Sequence, residues 1–310
     1  MKTSMDKIIP VAHMMEAHAA HYDNGGADYS VTEILDPPRI VQLNKRHYHK
    51  VKLHVQSQLA SFLGTAVHEY AERMLEKYCD MKGKQVYKCE DRNNWVFADR
   101  VVSGSYDIHY IVDKDLYDIK TTKVVKILRG DKSDWIKQQN IYRLLEYKNS
   151  GLKFNGLNII GVFWNWDKWE YFRRKREGYP PAQMVQYELP LWKYSDTEKW
   201  VTEKVELLKR YEDTPDDDLP LCTHSDMWSE PDKFAVKLAG KPRALTAQCG
   251  TEKDAWDWVQ NHHYNNDTKI SDYTVERRMA KRIRCEDWCP INKWCSQFAR
   301  YNTLMAKKGS

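Results

Sequence analysis

The chain has 310 residues, a formal net charge of +5, 42% hydrophobic residues and 30% charged residues. That composition belongs to a soluble globular protein with room for one large domain or two small ones, and its mild basicity suits a polyanionic partner. No stretch approaches the roughly 20 apolar residues of a membrane helix, the first 20 residues lack the apolar core of a secretion signal, and seven cysteines form an odd set. These features argue against a membrane protein and a disulfide framework, and the expected location is cytoplasmic.

In chain order, residues 1–28 read as an N-terminal helical arm. Ser30-x-x-Glu33 has the spacing of a capping box on a short helix, and Pro37-Pro38 ends it. Residues 56–78 read as a helix, with Leu59, Phe62, Leu63, Val67, Tyr70, Met74 and Tyr78 recurring mostly at three and four. Gly64, His68 and Glu72 form a neighbouring stripe. A glycine inside a helix calls for a close backbone neighbour, which would set His68 beside a cleft.

Residues 101–112 have strand character, 113–115 form a turn, and 116–122 run back. Residues 135–147 read as a helix, 157–164 as a buried strand, 165–168 as a turn, and 169–173 as that strand's hairpin partner. Residues 184–189 are a further strand and 194–211 a helix. Thr214 to Pro220 is an acidic loop. From Leu221 the chain is a cysteine-bearing region containing a helix over 251–262. The order is α/β, with a mixed central sheet flanked by helices.

Period two places Asp118 and Lys120 on one face of their strand, with Ile119 on the other. Asp107 lies across the 113–115 turn and shares that face if the hairpin forms. Two carboxylates and the His68 imidazole then offer ligands for Mg²⁺ or Mn²⁺. Lys120 supplies a positive charge beside an attacked phosphate, or orients and deprotonates water. Downstream, Cys285, Cys289 and Cys295 have compact ligand spacing. Three thiolates need a fourth ligand for zinc or a [4Fe–4S] cluster, with Cys222 and Cys249 as the upstream candidates. The basic runs Arg173-Arg174-Lys175-Arg176, Lys281-Arg282-x-Arg284 and Lys120 to Arg129 read first as solvated faces. The 173–176 run is also a nucleic-acid contact candidate, beside the aromatic Phe163-Trp164-Asn165-Trp166 segment.

Four motifs in order resemble the RecB-like branch of the PD-(D/E)XK nucleases, particularly phage-encoded members. They are Gly64 to His68, Gly104 to Asp107, Asp118 to Lys120, and Gln138 to Tyr142. The resemblance covers about 29–190 and continues into the cysteine region. It implies a restriction-endonuclease-like core over 29–213, with a cysteine-ligated region over 214–310 packed on it. It further implies that His68, Asp107, Asp118 and the carbonyl of Ile119 ligate the catalytic Mg²⁺ or Mn²⁺, while Lys120 positions or activates water. Gln138 and Tyr142 would support the lysine and contact the substrate backbone, and Glu72 would partner the ligand set.

The implied activity is that of a DNA exonuclease in recombination, repair or phage DNA metabolism, cytoplasmic in a bacterium or infected host. Its substrate would be DNA that is single-stranded or has free ends. Phage or host recombination proteins and further copies of the chain would be its partners. The implied cofactor beside the catalytic metal is a [4Fe–4S] cluster on Cys222, Cys285, Cys289 and Cys295, preferred over zinc. In many relatives the upstream cysteine precedes the nuclease motifs; this chain has none before Cys79. Three rival readings are a nucleic-acid-binding iron–sulfur protein with a decayed nuclease fold, a redox iron–sulfur protein, and a structure- or sequence-specific endonuclease.

Overall fold

In the computed structural model, which describes residue 14 and residues 25–51, 55–130, 132–263 and 268–306, the capping box forms. Glu33 N donates to Ser30 Oγ (3.1 Å) and Ser30 N donates to Glu33 Oε2 (2.7 Å), starting helix α1 (Val31–Leu35). Pro37-Pro38 does more than stop α1: Pro38 is the first residue of α2 (Pro38–His47), where its missing N–H and fixed φ are harmless. The arm expected over 1–28 falls almost wholly outside the described residues.

The chain divides into two compact units, 1–36 with 52–213, and 37–51 with 214–310. The first holds a six-stranded mixed sheet, and the expected α/β architecture is present. Its strands are β1 (Tyr29–Ser30), β2 (Tyr87–Phe97), β3 (Arg100–Tyr110), β4 (Asp115–Thr122), β5 (Gly156–Phe163) and β6 (Met184–Leu189). β2 and β3 form a long antiparallel hairpin about Ala98 and Asp99, both at positive φ (46° and 62°) as a tight two-residue turn requires. β3 then pairs antiparallel with β4 over 108–110, β4 runs parallel to β5, and β6 returns antiparallel to β5. Helices α3 (Val55–Lys82), α4 (Val125–Leu128), α5 (Ser133–Ser150), α6 (Lys168–Arg174) and α7 (Tyr194–Arg210) accompany the sheet. Val102, Tyr106, Leu116, Ile119, Leu157, Ile159, Ile141, Leu144 and Leu145 are buried in this unit.

Two expectations for this region change. Residues 169–173 are helical in α6, not a hairpin partner of β5. Asp167 caps the helix, its Oδ1 accepting from Trp169 N (2.8 Å) and Glu170 N (2.9 Å), and Glu170 pairs with Arg173 one turn on. β6 takes the place beside β5. β2, absent from the expectations, pairs along the whole of β3.

In the second unit, a three-stranded antiparallel sheet of β7 (Lys233–Leu238), β8 (Thr246–Cys249) and β9 (Tyr273–Arg278) packs on α8 (Glu252–His262) through Val236, Ala255, Val259 and Tyr273. Two further helices follow, α9 (Ile283–Asp287) and α10 (Ser296–Ala306). α2 joins this unit because its polar side chains are bound there. Arg46 Nη1 donates to Thr214 O and Asp216 Oδ1 (2.7 Å each). His47 Nε2 lies 2.6 Å from Asp216 Oδ2, and the His47 ring stacks on Trp294 at 5.4 Å. Residues 37–51, placed by sequence in the 29–213 stretch, thus cluster with 214–310.

Candidate active site

The site lies where the β3–β4 ladder opens. Ile108 pairs with Tyr117, so the same register sets Asp107 opposite Asp118 just past the last ladder pair. There Asp107 Oδ2 accepts from Ile119 N at 2.7 Å, replacing the strand–strand bond the ladder no longer supplies. Across β2, Cys89 pairs with Ile108 and Asp91 with Tyr106, which sets Glu90 opposite Asp107. Glu90, Asp107 and Asp118 therefore form a row of carboxylates across three strands on one face. Like charges so placed repel unless a cation lies among them. Burial, then the charges of Asp107 and Glu72, hold Glu90 above the usual carboxylate range. Its backbone is in the left-handed region (φ 50°), a conformation that costs a non-glycine residue about 1–3 kcal/mol.

Helix α3 brings His68 to this row. The imidazole Nδ1 lies 3.2 Å from Asp107 Oδ2, and Nε2 lies 2.8 Å from the Ile119 carbonyl oxygen. The neighbour of Gly64 is a side chain rather than the backbone expected: a Cβ on Gly64 would stand 3.3 Å from Thr121 Oγ1 of β4. Burial draws the His68 pKa down, but contact with Asp107 and the charges of Asp107 and Asp118 outweigh it and hold it above the ordinary value. His68, Glu90 and Asp107 present ligand atoms that all lie within 4.8 Å of one another, a grouping able to hold a metal ion.

Asp118 is 1% exposed. Lys120 Nζ donates to its Oδ1 (3.1 Å) and lies 2.8 Å from Oδ2, at an angle that leaves this second oxygen buried without a hydrogen bond. Burial and the Asp107 charge push the Asp118 carboxyl upward. Burial opposes the Lys120 ammonium, yet Asp118 and Asp107 prevail and keep it protonated. Gln138 and Tyr142 stand one turn apart on α5, as expected, but both are buried and Gln138 Nε2 donates to Tyr142 Oη at 2.8 Å. The Tyr142 ring fills the space Gly104 leaves: a Cβ there would stand 2.6 Å from Tyr142 Cε1 and from Val31 Cγ2. The expected contact of these two residues with substrate thus becomes a supporting role beneath β3.

Glu90 is the residue the sequence reading missed. The signal lay in hairpin arithmetic: a two-residue turn at 98–99 sets residue 90 opposite residue 107. Glu72, expected as a partner of the ligands, is raised above its ordinary value by burial, Glu76 and Glu69, and its charge acts on Glu90.

In the second unit, Cys222, Cys285, Cys289 and Cys295 all line one small cavity, with Arg39, Ile40, Met227 and Ile291 among its walls. Cys249 instead packs with the small sheet. Burial is the main cause that pushes the Cys222 thiol up to about 12, and those of Cys285 and Cys289 to about 11, neighbouring thiols adding to it. Among the described residues, no group of three or more cysteines brings its sulfurs within 4.8 Å of one another.

Arg173, Lys175 and Arg176 are exposed, and Arg174 pairs with Glu177 at 2.8 Å. Beside them Trp164 (54% exposed), Trp169 (80%) and Phe172 (54%) face solvent. Trp164 follows β5, and Lys123, just after β4, places its ammonium 4.8 Å from the Trp164 ring centre.

Among the described residues, no helix is long and apolar enough to cross a membrane. No family model and no curated protein matches the chain. Three solved structures show a distant likeness. The SSO0001 protein is 16% identical over 68% of this chain and 89% of that one, at a TM-score of 0.43. An alkaline exonuclease (LHK-Exo) from Laribacter hongkongensis is 12% identical over 59% and 88%, at 0.36. A phage-related exonuclease from Haemophilus somnus 129PT is 12% identical over 66% and 80%, at 0.29. Likenesses this distant leave function to be read from the site itself.

Proposed function

We propose that this protein is a divalent-metal-dependent deoxyribonuclease, acting as an exonuclease on DNA phosphodiester bonds. The observation that carries the reading is the meeting of the His68 imidazole with Glu90 and Asp107 where β3 and β4 part, with Asp118 and the half-buried Lys120 ammonium beside them on β4. The donor set fits a hard cation: Glu90, Asp107 and Asp118 supply oxygen, the Ile119 carbonyl adds another, and Asp118 keeps one buried oxygen without a hydrogen bond. Bound there, Mg²⁺ or Mn²⁺ supplies charge neutralisation at the attacked phosphate.

The chain's own groups do the rest. Asp118 holds the Lys120 ammonium in place, so that Lys120 donates to the incoming water or a phosphate oxygen. Ile119 points into the core and fixes the strand beneath both residues. His68 binds through a neutral imidazole, and proton loss from it accompanies metal uptake. Trp164, Trp169 and Phe172, with Lys123 and the basic 173–176 run, are fitted to hold a DNA strand by stacking and charge.

For the second unit, the four-cysteine cavity supports a structural [4Fe–4S] cluster. Four thiols lining one cavity match the Cys₄ ligand set of such a cluster, with zinc as the alternative.

The test is hydrolysis of 5′- and 3′-labelled DNA, single- and double-stranded, with Mg²⁺, Mn²⁺ or EDTA. Metal-dependent release of nucleotides from ends, abolished by Asp118→Ala and by Lys120→Ala, is the expected result. Binding without cleavage under every metal would make the chain a nucleic-acid-binding protein instead. Defined fragments from closed circular DNA would make it an endonuclease.

A further inference from the structure

Arg39 is 1% exposed, and its side chain forms part of the wall of the cysteine-lined cavity. Its partners are neutral groups. Nε donates to Pro220 O (3.1 Å), and Nη2 to Leu219 O and to Asp217 O (3.4 Å). Nη1 reaches Ser296 Oγ (3.4 Å) and Cys295 Sγ (4.0 Å). Other arginines of this unit have carboxylates: Arg46 has Asp216 at 2.7 Å, and Arg282, in the same cavity wall, has Asp232 at 3.7 Å. Asp226 also lines the cavity, but its Oδ2 accepts from Thr223 N and Oγ1 at 2.8 Å each. A guanidinium buried among neutral groups is strongly unfavourable unless an anion is supplied. The cavity beside Arg39 holds four thiols, and thiolates binding a metal cluster are such an anion.

We propose that Arg39 is the built-in counter-cation of a thiolate-ligated iron–sulfur cluster held by Cys222, Cys285, Cys289 and Cys295. This rests on the iron–sulfur reading above. Arg39 is a positioning residue: it donates to the Cys295 sulfur, ties α2 to the loop at 217–220, and offsets the surplus negative charge of four thiolates. A fixed positive charge stabilises the more reduced, more negative cluster, so Arg39 raises its reduction potential.

The experiment compares the anaerobically purified full-length wild type with Arg39→Gln, Arg39→Lys and Ser296→Ala. Iron, acid-labile sulfide, visible absorption and a spectroelectrochemical titration are measured on each. Arg39→Gln is expected to move the reduction equilibrium at least tenfold towards the oxidised form, which is about 59 mV for a one-electron couple. Arg39→Lys keeps the charge and is expected to stay near the wild type. Ser296→Ala loses a hydrogen bond but no charge and is expected to leave the potential where it was. Equal potentials in all four proteins would overturn the counter-cation role. Where Arg39→Gln keeps no cluster, Arg39→Lys decides: wild-type iron content and potential support the charge, whereas loss of the cluster there too shows that shape is what Arg39 supplies and overturns it. Wild-type protein without iron and sulfide overturns the cluster itself, a failure visible before any variant is made.

Discussion

Glu90 concentrates the conflict that a row of carboxylates builds into a sheet. It faces Asp107 across one ladder, and Asp107 faces Asp118 across the next. Glu90→Gln removes one of the opposed charges while keeping the shape. Metal-free protein is expected to gain about 0.5 kcal/mol of stability, measured by denaturant unfolding in EDTA. The same variant is expected to bind Mn²⁺ about tenfold more weakly, because ligand charge sets affinity at an oxygen-rich site. Calorimetric titration with Mn²⁺ checks that half; unchanged affinity would remove Glu90 from the ligand set.

His68 gives a second expectation. Its pKa lies above the ordinary histidine value, because Asp107 and Asp118 favour the imidazolium more than burial opposes it. In the metal-free protein this contributes stability that is fully present below the unfolded-state pKa and is lost as pH rises through the folded one. Protons compete with metal at the same nitrogens, so Mn²⁺ affinity is expected to rise with pH until the folded His68 pKa is passed. Titrations from pH 5 to 9 read this directly, and His68→Ala should flatten the His68 component of the profile.

Among the elements, β3 depends most on a missing side chain. Gly104→Ala would drive a methyl into the Tyr142 ring and Val31. The expected cost is about 1–3 kcal/mol, and activity should fall with it as β3 shifts under Asp107. A urea midpoint shared with wild type would show that the ring yields instead. At α6, Trp164→Ala and Trp169→Ala are each expected to weaken single-stranded DNA binding in EDTA by about fivefold or more, with unfolding unchanged. Fluorescence anisotropy with a labelled oligonucleotide reports it.

Most of these elements were legible. Asp118-Ile119-Lys120 alternates as a strand must, and the Gly64–His68–Glu72 stripe follows the helical repeat. β2 was not legible. Tyr87–Arg92 alternates only between half-buried and exposed positions, and of the rest Asn93 and Phe97 alone are buried, with Val96 facing water. Its turn, Ala98-Asp99, carries neither the glycine nor the asparagine that marks a left-handed hairpin corner. Missing β2 meant missing Glu90. The 169–173 error has the opposite cause: aromatic residues suggested a strand, and the Asp167 cap with its i,i+3 ion pair decided for helix.

For the molecule as a whole, the two sets of proposed ligands fall in different units. His68, Glu90, Asp107 and Asp118 lie within 52–213, and the four cavity cysteines within 214–310. Cys289→Ala is therefore expected to abolish iron incorporation while Mn²⁺ affinity at the first site stays within about twofold of wild type, since sites that share no partners act independently. Parallel iron analysis and Mn²⁺ titration test this, and a joint loss would tie the two sites together. Spacing and the family resemblance singled out Cys222, Cys285, Cys289 and Cys295, which line one cavity. The boundary was not, because what draws 37–51 to the C-terminal unit is a set of long-range contacts from Arg39, Arg46 and His47.

That long-range clasp bears on how the protein is made. A ribosome delivers α2 more than 160 residues before Thr214, the first residue of the partner segment. Until then Ile40 has no Cys222 and Met227 to rest against, and Arg39 no carbonyl cage. A nascent chain halted near residue 213 should therefore be a chaperone client and a protease target at 37–51, even with its six-stranded sheet complete.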